Sequence, residues 1–435
     1  MYTPTRRTLM ATGGAAALGG ALTACNGGLG GFGGGGDDGT TTILYGWWGS
    51  PEKDEALFAA IDAFNAANPD IVVEGESTPW EGYWDKLATM SAGGDAPDVI
   101  HMSERYILEY GERDALLDLH SGDGLDLSSL DETVVALGES GDSALYAVPA
   151  GLNTFVLAAN IGLFEEAGVE VPDDTTWTWD DYYAASQAIA DAGFVGSNYG
   201  SGIESLRPWL HQHGETMYTE DGTAAGFDEA TLSSYLEHLL TLREHGGQTA
   251  DQVSEGAGMP IESSPFANGQ VGMTWMYSNQ LGEIAAVDDS DMKLMRVPSQ
   301  TGQASEAGMY YKGSEFYSIS AHSDEDQQAA AMRFVDFMVN DPEALELAGM
   351  IMGVPPNTDA VEQASSDLGE MDQHVLDFVT DLADDLTVES PGPSPIGSGN
   401  IQGIFDRETL ELLYDRITVE EATSNIFSSI NSELG

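Results

Sequence analysis

The sequence predicts an α/β protein with two lobes. From residue 40 onward, short apolar runs that are typical of buried strands alternate with amphipathic helical segments. This alternation favours parallel strands in an α/β sheet. About 395 residues remain after an N-terminal signal and linker, which is more than one hydrophobic core comfortably serves. The hydrophobic fraction is 42%, an ordinary value for a chain that folds around such cores.

The N-terminal segment indicates where the chain resides. Residues 1–24 carry the pair Arg6-Arg7 followed by a short apolar stretch, the pattern of a twin-arginine secretion signal. A small residue precedes Cys25, the single cysteine of the chain, at the position where lipidation needs a thiol. The alternative is an ordinary secretory signal with an incidental cysteine. Residues 25–39 are rich in glycine and predict a flexible tether. We therefore expect an extracellular lipoprotein anchored to the cytoplasmic membrane at Cys25.

The first predicted strands and helices follow one another directly. Residues 42–47 predict a buried strand, and Ser50-Pro51 then supplies an N-cap and a proline at the first helical position. The helix ends at Asn68-Pro69. The same alternation continues with a strand at 70–74, a helix at 80–92 and a strand at 97–102.

The remaining elements follow from similar signals. Residues 179–242 are mostly helical in pattern, with a turn at 220–222. Ser323 is the predicted cap of a long helix through Val339, in which Phe334, Phe337 and Met338 are predicted core residues. Further predicted features are strands at 144–149, 153–159, 292–297 and 316–320, a helix start at Asp341-Pro342 and a capping box at Thr418-Val419-Glu420-Glu421.

Acidic residues dominate the charge of the chain. Asp and Glu total 73 against 14 Lys and Arg, which gives a formal net charge of −59. Such self-repulsion destabilises a compact protein at low ionic strength, whereas 1 M salt shortens the Debye length to about 3 Å. Because the acids are dispersed among apolar residues, the pattern predicts a folded protein from a high-salt environment. It excludes nucleic acid as a partner, since phosphate binding needs a basic surface.

No motif for catalysis or metal binding occurs in the sequence. The His residues are scattered, and HExxH, CxxC, a phosphate-binding glycine loop and a G-x-S-x-G nucleophile motif are all absent. With so many carboxylates, any pair chosen by eye is most often solvated surface. We therefore predict that the chain is not an enzyme and has no catalytic residue, metal or cofactor.

Aromatic and polar side chains follow three predicted strands at the point where each strand ends. Trp47 and Trp48 end the first strand, Trp80 follows the second, and Arg105 follows the third. In open α/β sheets, ligands bind at this edge. Neighbouring strand residues face opposite ways, so Trp47 and Trp48 cannot both enter the same core. Flat apolar sugar faces stack on Trp and Tyr, and sugar hydroxyls need polar partners. The pattern favours a saccharide site over a purely structural role.

Three basic residues beside aromatic or glycine-rich positions have two interpretations. Arg105, Arg207 and Lys312 are retained against a strong acidic bias. They either face the cleft, where they would suit a sugar that carries a carboxylate, or they anchor neighbouring carboxylates of the protein. The sequence leaves both interpretations open.

Several segments together resemble the family 1 extracellular solute-binding proteins. These are carbohydrate receptors of ATP-driven importers and are related to maltodextrin-binding protein. The segments that carry the resemblance are Trp47-Trp48-Gly49, residues 80–87, 92–99 and 148–154, an F-x-x-G-x-x-A-M-like stretch at 266–273 with Gly272 in place of the usual Ala, Trp275, Ser278-Asn279-Gln280, residues 339–344 and Gly353-Val354-Pro355. They occur in the expected order over nearly the whole mature chain.

The resemblance implies a two-lobe, type II periplasmic-binding-protein fold with ligand held between the lobes. The implied division is 40–148 plus 298–319 for lobe 1 and 149–297 plus 320–435 for lobe 2. The chain would cross between the lobes near Pro149, Val297 and Ser320. The ligand contacts carried over are Trp47, Trp48, Trp80, Arg105, Asn153, Trp209, Trp275, Asn279, Tyr310 and Phe316. Among these, Trp275 is expected to be a stacking anchor whose loss weakens sugar binding.

The expected function is that of a monomeric, lipid-anchored receptor of the haloarchaeal type. It would capture a sugar or oligosaccharide and deliver it to the membrane subunits of an ABC permease. Two alternatives from other classes remain open. One is a secreted glycoside hydrolase with two carboxylates in the cleft, and the other is a receptor of the same shape for a polyamine, a metal or another non-sugar solute.

Overall fold

The computed structural model describes residues 39–141, 143–200, 202–288, 290–364, 368–388 and 390–435. The predicted signal at 1–24, the lipidation residue Cys25 and the predicted tether as far as residue 38 lie outside these ranges. The described strands are β1 (Thr41–Trp48), β2 (Ile71–Thr78), β3 (Val99–Met102), β4 (Val148–Asn153), β5 (Phe155–Asn160), β6 (Val195–Ser197), β7 (Val271–Tyr277), β8 (Met292–Met295) and β9 (Lys312–Ile319).

Helices cover both sheets and account for much of the chain. The described helices are α1 (Pro51–Ala67), α2 (Trp80–Gly93), α3 (Glu104–Gly111), α4 (Glu132–Val135), α5 (Ile161–Ala167), α6 (Trp179–Asp191), α7 (Gly202–Gln212), α8 (Glu229–Glu244), α9 (Ala250–Gly256), α10 (Leu281–Ala285), α11 (Glu325–Asn340), α12 (Pro342–Ala348), α13 (Thr358–Ala364), α14 (Glu370–Leu382), α15 (Ile401–Leu413) and α16 (Val419–Leu434). Within the described part of the chain, none of these helices has the length and apolar character needed to cross a membrane.

The strands form two separate sheets, and each sheet has its own core. The first sheet has the order β2-β1-β3-β9-β4 and the second the order β6-β7-β5-β8. We call each sheet with its packed helices the first and the second unit. β1 pairs in parallel with β2 and β3, whereas β9 is antiparallel to both of its neighbours. The predicted α/β fold of the type II binding-protein class is thus confirmed.

Alternation along β1 separates a core face from a second face. Tyr45 and Trp47 are fully buried in the main core of the first unit, together with Phe334 of α11. Trp48 points the other way and packs at the edge of a smaller cluster that contains Tyr83 and Phe316. The period of two residues in a strand produces this division. Only the second face of β1 is therefore available at the end of the strand.

The chain crosses between the units at positions that partly differ from the prediction. β4 belongs to the first sheet and β5 to the second, so the first crossing lies at Thr154 rather than near Pro149. The second crossing is the segment between β8 and β9. The expected third crossing near Ser320 is wrong, because α11 and α12 remain on the first unit.

The predicted assignment of 320–435 to lobe 2 therefore needs correction. Phe334, Val335 and Met338 of α11 are buried in the core of the first unit, as is Ala344 of α12. The apolar face of α11 covers Tyr45, whose ring lies 5.4 Å from that of Phe334. The chain reaches the second unit only later, where Val375, Val379 and Leu382 of α14 join its core.

Helix caps agree with the sequence signals in most cases. Ser50 accepts a hydrogen bond from the backbone of Lys53, Asp341 caps α12, and Thr418 forms the predicted capping box with Glu421. The cap of α11 is Asp324 rather than Ser323. The Ser323 hydroxyl instead donates to Asp98 at 2.5 Å.

Replacement of Trp47 by Ala should destabilise the protein strongly. Trp47 is fully buried against Tyr45, and its indole N–H donates to Asp54 at 2.8 Å. Truncation leaves a cavity and an unpaired carboxylate, so we expect a loss of about 3–5 kcal/mol in the free energy of unfolding by urea. Trp48→Ala is the neighbouring control and should cost clearly less. Equal losses in the two variants would contradict the assignment of faces along β1.

Candidate ligand-binding cleft

A cleft of about 350 Å³ lies between the two units. The first unit contributes the end of β1, the first turns of α1, α2 and α3, and parts of β4 and β9. The second unit contributes the end of β7 and the residues that lead into α10. Because β1 and β3 are parallel, the segments that follow them meet at one sheet edge, which is where ligands bind in open α/β sheets.

Aromatic rings form the wall of the cleft that lies at the end of β1. Trp48 and Trp80 line the cleft, and their ring centroids are 5.1 Å apart in an edge-to-face arrangement. Trp84 supports both rings from behind at 5.3 Å and 5.5 Å. Trp80 is 40% exposed, so one of its faces is free for contact with an apolar ligand surface.

A buried ion pair fixes the floor of the cleft next to Trp48. The Lys53 ammonium donates to Glu315 Oε2 at 2.5 Å, and the His101 imidazole lies 2.6 Å from the same oxygen. The Tyr45 hydroxyl lies 2.8 Å from the other ring nitrogen of His101. Burial and the Lys53 charge lower the pKa of His101 to about 4. A neutral imidazole therefore donates from Nε2 to Glu315 and accepts from Tyr45 at Nδ1.

The carboxylate of Glu315 remains ionised in this environment. Burial alone would raise its pKa, but Lys53 and His101 outweigh burial and lower the pKa of Glu315 to about 2. Both of its close contacts use Oε2.

A second group of charges, which we call the Glu204 cluster, crosses between the units. Glu204 on α7 of the second unit is 1% exposed, and its Oε1 accepts from Lys312 at 3.1 Å. Its Oε2 accepts from the Tyr310 hydroxyl at 3.0 Å. Arg105 of α3 and Arg207 of α7 each place a guanidinium nitrogen 3.8 Å from Glu204. Burial would raise the pKa of Glu204, but these three cations lower it to about 2.

Lys312 is saturated with partners inside this cluster. Besides Glu204, its ammonium contacts Glu104 Oε1 at 2.9 Å and the Tyr277 hydroxyl at 3.0 Å. Burial lowers the pKa of a lysine, but Glu104 and Glu204 outweigh it and raise the pKa of Lys312. Arg207 therefore lies beside a carboxylate of the protein and outside the cleft lining, whereas Lys312 lines the cleft and is also held by carboxylates of the protein.

Amide side chains occupy the point where the chain crosses from β4 to β5. Asn153 donates to Asn279 Oδ1 at 3.1 Å, and Asn279 donates to the carbonyl of Ile351 at 3.4 Å. Next to these amides, β4 passes close to the backbone of Met352. Gly151 allows this, because a Cβ at that position would overlap the carbonyl of Met352. Asn153 is 4% exposed, and its Oδ1 has no hydrogen-bond partner among the described residues. A buried acceptor of this kind is suited to a ligand hydroxyl.

Five of the ten predicted contact residues line the cleft, and five do not. Those that line it are Trp48, Trp80, Arg105, Asn153 and Asn279. Those that the structure places elsewhere are Trp47, Trp209, Trp275, Tyr310 and Phe316.

The five exceptions are buried for identifiable reasons. Trp47 and Phe316 lie in clusters on the two faces of the first sheet, and Trp209 lies in the core of the second unit. Trp275 is stacked on Phe155 at 5.6 Å in that same core, so the structure places this expected stacking anchor outside the cleft lining. Tyr310 is 2% exposed behind Glu204.

Several residues that line the cleft, four of them charged, were not among the predicted contacts. Lys53, Glu104, Tyr277, Glu283 and Glu315 line it. A basic residue that is retained in a strongly acidic chain is the one sequence signal for such a position, and it applies to Lys53 as much as to Arg105. Among the described residues, no group of three or more His, Cys, Asp or Glu side chains could hold a metal ion.

Comparisons with known proteins agree on one type of protein. Residues 59–375 match the family described as bacterial extracellular solute-binding protein. An uncharacterised lipoprotein of Streptomyces antibioticus is 21% identical over 329 residues, which cover 72% of this chain and 69% of that protein.

Two solved structures share the fold along almost the entire chain. An ABC substrate-binding protein from Listeria monocytogenes, in complex with cycloalternan, has a TM-score of 0.77 and 23% identity, with 91% of this chain and 99% of that chain covered. A periplasmic oligogalacturonide-binding protein from Yersinia enterocolitica, in complex with saturated digalacturonic acid, has a TM-score of 0.78 and 21% identity, with coverages of 91% and 98%.

Glu283 on α10 should make the stability of the ligand-free protein depend on pH. Burial and the nearby carboxylates of Glu262, Glu52 and Glu315 raise its pKa from 4.5 to about 7. Between pH 4.5 and pH 7 the unfolded chain loses this proton while the folded chain keeps it. Stability therefore falls as the pH rises through this window, and the full penalty applies above it.

Glu283→Gln should remove that penalty. Relative to the wild type, we expect the variant to be more stable at pH 8 by on the order of 1 kcal/mol, after a discount for solvent screening. At pH 4 the difference should disappear. Urea denaturation at both pH values measures this, with Glu255→Gln on the exposed face of α9 as the control. A gain at pH 8 that persists at pH 4 would show that the effect is not ionisation.

Proposed function

The chain belongs to the bacterial extracellular solute-binding proteins, and from that premise we propose that it is the sugar-binding receptor of an ABC importer. The receptor captures a sugar or oligosaccharide in the cleft between its units and delivers it to the membrane subunits of the permease. The observation that carries this proposal is the combination, in one cleft, of the Trp48–Trp80 wall with the unpartnered acceptor of Asn153.

The chemistry of the cleft supports a saccharide ligand. The apolar face of a sugar ring stacks on an indole, and its hydroxyls pair with amide and carboxylate groups. The cleft offers both kinds of surface on opposite sides, with rings from β1 and α2 and amides from the region of β4 and β7. Proteins of the same fold bind cycloalternan and digalacturonic acid, which supports an oligosaccharide.

Capture works through the contacts that link the two units. A ligand that touches both units favours the closed form by the difference between its affinities for the closed and open forms. Asn153 and Asn279 stand on either side of the crossing at Thr154 and are hydrogen-bonded to each other. A hydroxyl bound at Asn153 Oδ1 therefore adds to an existing link between the units. The ligand contacts we propose are Trp48, Trp80, Arg105, Asn153 and Asn279.

The proposed location is the outer surface of the cytoplasmic membrane. Lipidation of Cys25 after a twin-arginine signal would anchor the chain there, and the glycine-rich stretch would let the receptor reach its permease. The name of the Streptomyces relative, a lipoprotein, supports this. The net charge of −59 supports a halophilic protein of the haloarchaeal type. We propose that the receptor acts as a monomer.

Sugar binding should raise the melting temperature of the protein in multimolar KCl. A ligand at 100 times its Kd stabilises the native state by about 2.7 kcal/mol. A thermal-shift screen of neutral and charged saccharides, polyamines and divalent metals identifies the class of solute. A shift with polyamines or metals alone would contradict the proposal and favour the non-sugar receptor.

Trp80→Ala should then weaken binding of the saccharide by more than about 1 kcal/mol, as expected for loss of a stacked aromatic residue. Titration calorimetry measures the change. Phe58→Ala is a matched control, because Phe58 is 43% exposed and lies on α1 away from the cleft lining. Unchanged affinity in a folded Trp80→Ala protein would exclude the aromatic wall from the site.

The protein should leave its ligand intact. The family consists of receptors rather than enzymes, and two carboxylates in the cleft, Glu104 and Glu315, are held in ion pairs by Lys312 and Lys53. Chromatography of oligosaccharides after prolonged incubation should show no shortened products. Shortened products that disappear in Glu315→Gln would establish the glycoside hydrolase instead.

A further inference from the structure

The cations that line the cleft are already neutralised by the protein itself. The cleft is lined by Lys53, Arg105 and Lys312, which is a concentration of positive charge in a chain with only 14 Lys and Arg. Such a concentration would by itself suggest an acidic ligand. The partners of each cation decide whether that is so.

Two of the three cations are already bound by buried or half-buried carboxylates of the protein. Lys53 is 5% exposed and held by Glu315 at 2.5 Å. Lys312 is 9% exposed and lies between Glu104 and Glu204 at 2.9 Å and 3.1 Å. A ligand carboxylate that displaced one of these partners would leave a buried protein carboxylate without its cation, which is strongly unfavourable.

Arg105 is the cation that reaches the cleft most openly, yet carboxylates surround it. Its side chain is 24% exposed, and its Nη2 lies 3.8 Å from Glu204. Glu104 precedes it in the chain and also lines the cleft, and the charges of Glu104 and Glu204 raise the pKa of Arg105. A ligand carboxylate at Arg105 would therefore sit close to two carboxylates of the protein.

The opposite wall adds a carboxylate on which Lys53 acts only from a distance. Glu283 lines the cleft and forms no ion pair among the described residues. Burial is the main reason that its pKa is raised, and the neighbouring carboxylates raise the pKa further. A carboxylate of the protein thus already resists ionisation at this position, and a carboxylate on the ligand would meet the same environment.

Residues that line the cleft also hold acceptor oxygens with free hydrogen-bonding capacity. Asn153 Oδ1 is buried without a partner, and Glu315 makes its close contacts through Oε2 only. Hydroxyl groups of an uncharged sugar are donors that fit these oxygens, whereas a carboxylate is an acceptor and does not.

Building on the proposed receptor function, we propose that the ligand is an uncharged saccharide and that the ion pairs of the cleft exclude sugars that carry a carboxylate. The selectivity arises because a ligand carboxylate would compete with Glu104 for Lys312 and with Glu315 for Lys53, and these carboxylates are already in place. An ammonium group on the ligand would in the same way have to displace Lys53 or Lys312 from these carboxylates, so amino sugars are also disfavoured.

Calorimetry with matched disaccharides tests the selectivity. The probes are cellobiose with its diuronate and its diamino analogue, and α-1,4-galactobiose with digalacturonate and the galactosamine dimer. Titrations are made in KCl above 1 M, where the Debye length is about 3 Å or less, so that the net charge of the chain does not act from a distance. For whichever of the two disaccharides binds, we expect the affinity for the neutral form to exceed that for its charged analogues by at least about ten-fold.

Three results would overturn parts of the account, and they are distinguishable. Equal or tighter binding of a uronate overturns the selectivity and leaves the receptor function in place, as does tighter binding of an amino sugar. Absence of binding by every saccharide in these probes and in the wider thermal screen overturns the receptor function, and the selectivity falls with it.

A substitution that frees Lys312 should shift the preference toward uronates. Glu104→Gln removes one of the two carboxylates that hold Lys312 while its shape is kept, so the affinity for the uronate relative to the neutral sugar should rise by about ten-fold. The control is Glu109→Gln on the same helix, which faces Arg113 at 3.0 Å outside the cleft lining and should leave the ratio unchanged. An unchanged ratio in folded Glu104→Gln overturns the proposal. If that variant does not fold, Glu283→Gln removes the carboxylate of the opposite wall instead, and the same affinity ratio should shift toward the uronate; an unchanged ratio there overturns the proposal.

Discussion

The buried carboxylate of Glu204 needs positive charge around it, and the residues that supply this charge come from both units of the molecule. Glu204 and Arg207 belong to α7 of the second unit, whereas Arg105 and Lys312 belong to the first. An ionised group that is 1% exposed is tolerated only when its charge is matched in this way. The cluster thus ties the two units together at one end of the cleft, and the positions of Arg105 and Lys312 in the cleft follow from it.

The same constraint explains why an extremely acidic protein has a nearly balanced binding cleft. Elsewhere most of the acids are at least partly exposed, where salt screens them. In the cleft, burial would make unpaired carboxylates costly, so lysines and arginines accompany them at Glu204 and Glu315. Glu283 is the exception, because it forms no ion pair among the described residues, and burial followed by the nearby carboxylates raises its pKa. The net effect is a cleft that presents rings, amides and acceptor oxygens to a ligand.

Local sequence patterns predicted the class of fold, but only some of the contacts. Alternation in β1 correctly separated Trp47 from Trp48 without indicating which of them faces the core, because that depends on α11, some 280 residues later in the chain. The resemblance placed Trp275 and Phe316 in the site, but Tyr277 and Glu315 line it instead. Phe316 and Glu315 are neighbours in β9, and in a strand an error of one residue moves a side chain to the other face. Trp275 and Tyr277 share a face of β7, and Trp275 lies two residues further from the cleft, in the core of the second unit. The pairing of Lys53 with Glu315 spans 262 residues, and no local pattern contains it.

The crystal structure of the protein with a bound neutral saccharide tests the central claim most directly. The account predicts sugar density between the two units, with a ring against Trp48 or Trp80 and a hydroxyl within hydrogen-bonding distance of Asn153 Oδ1. Density for the sugar only on the outer surface of either unit, with the cleft contacts of Asn153 and Asn279 unchanged, would contradict it.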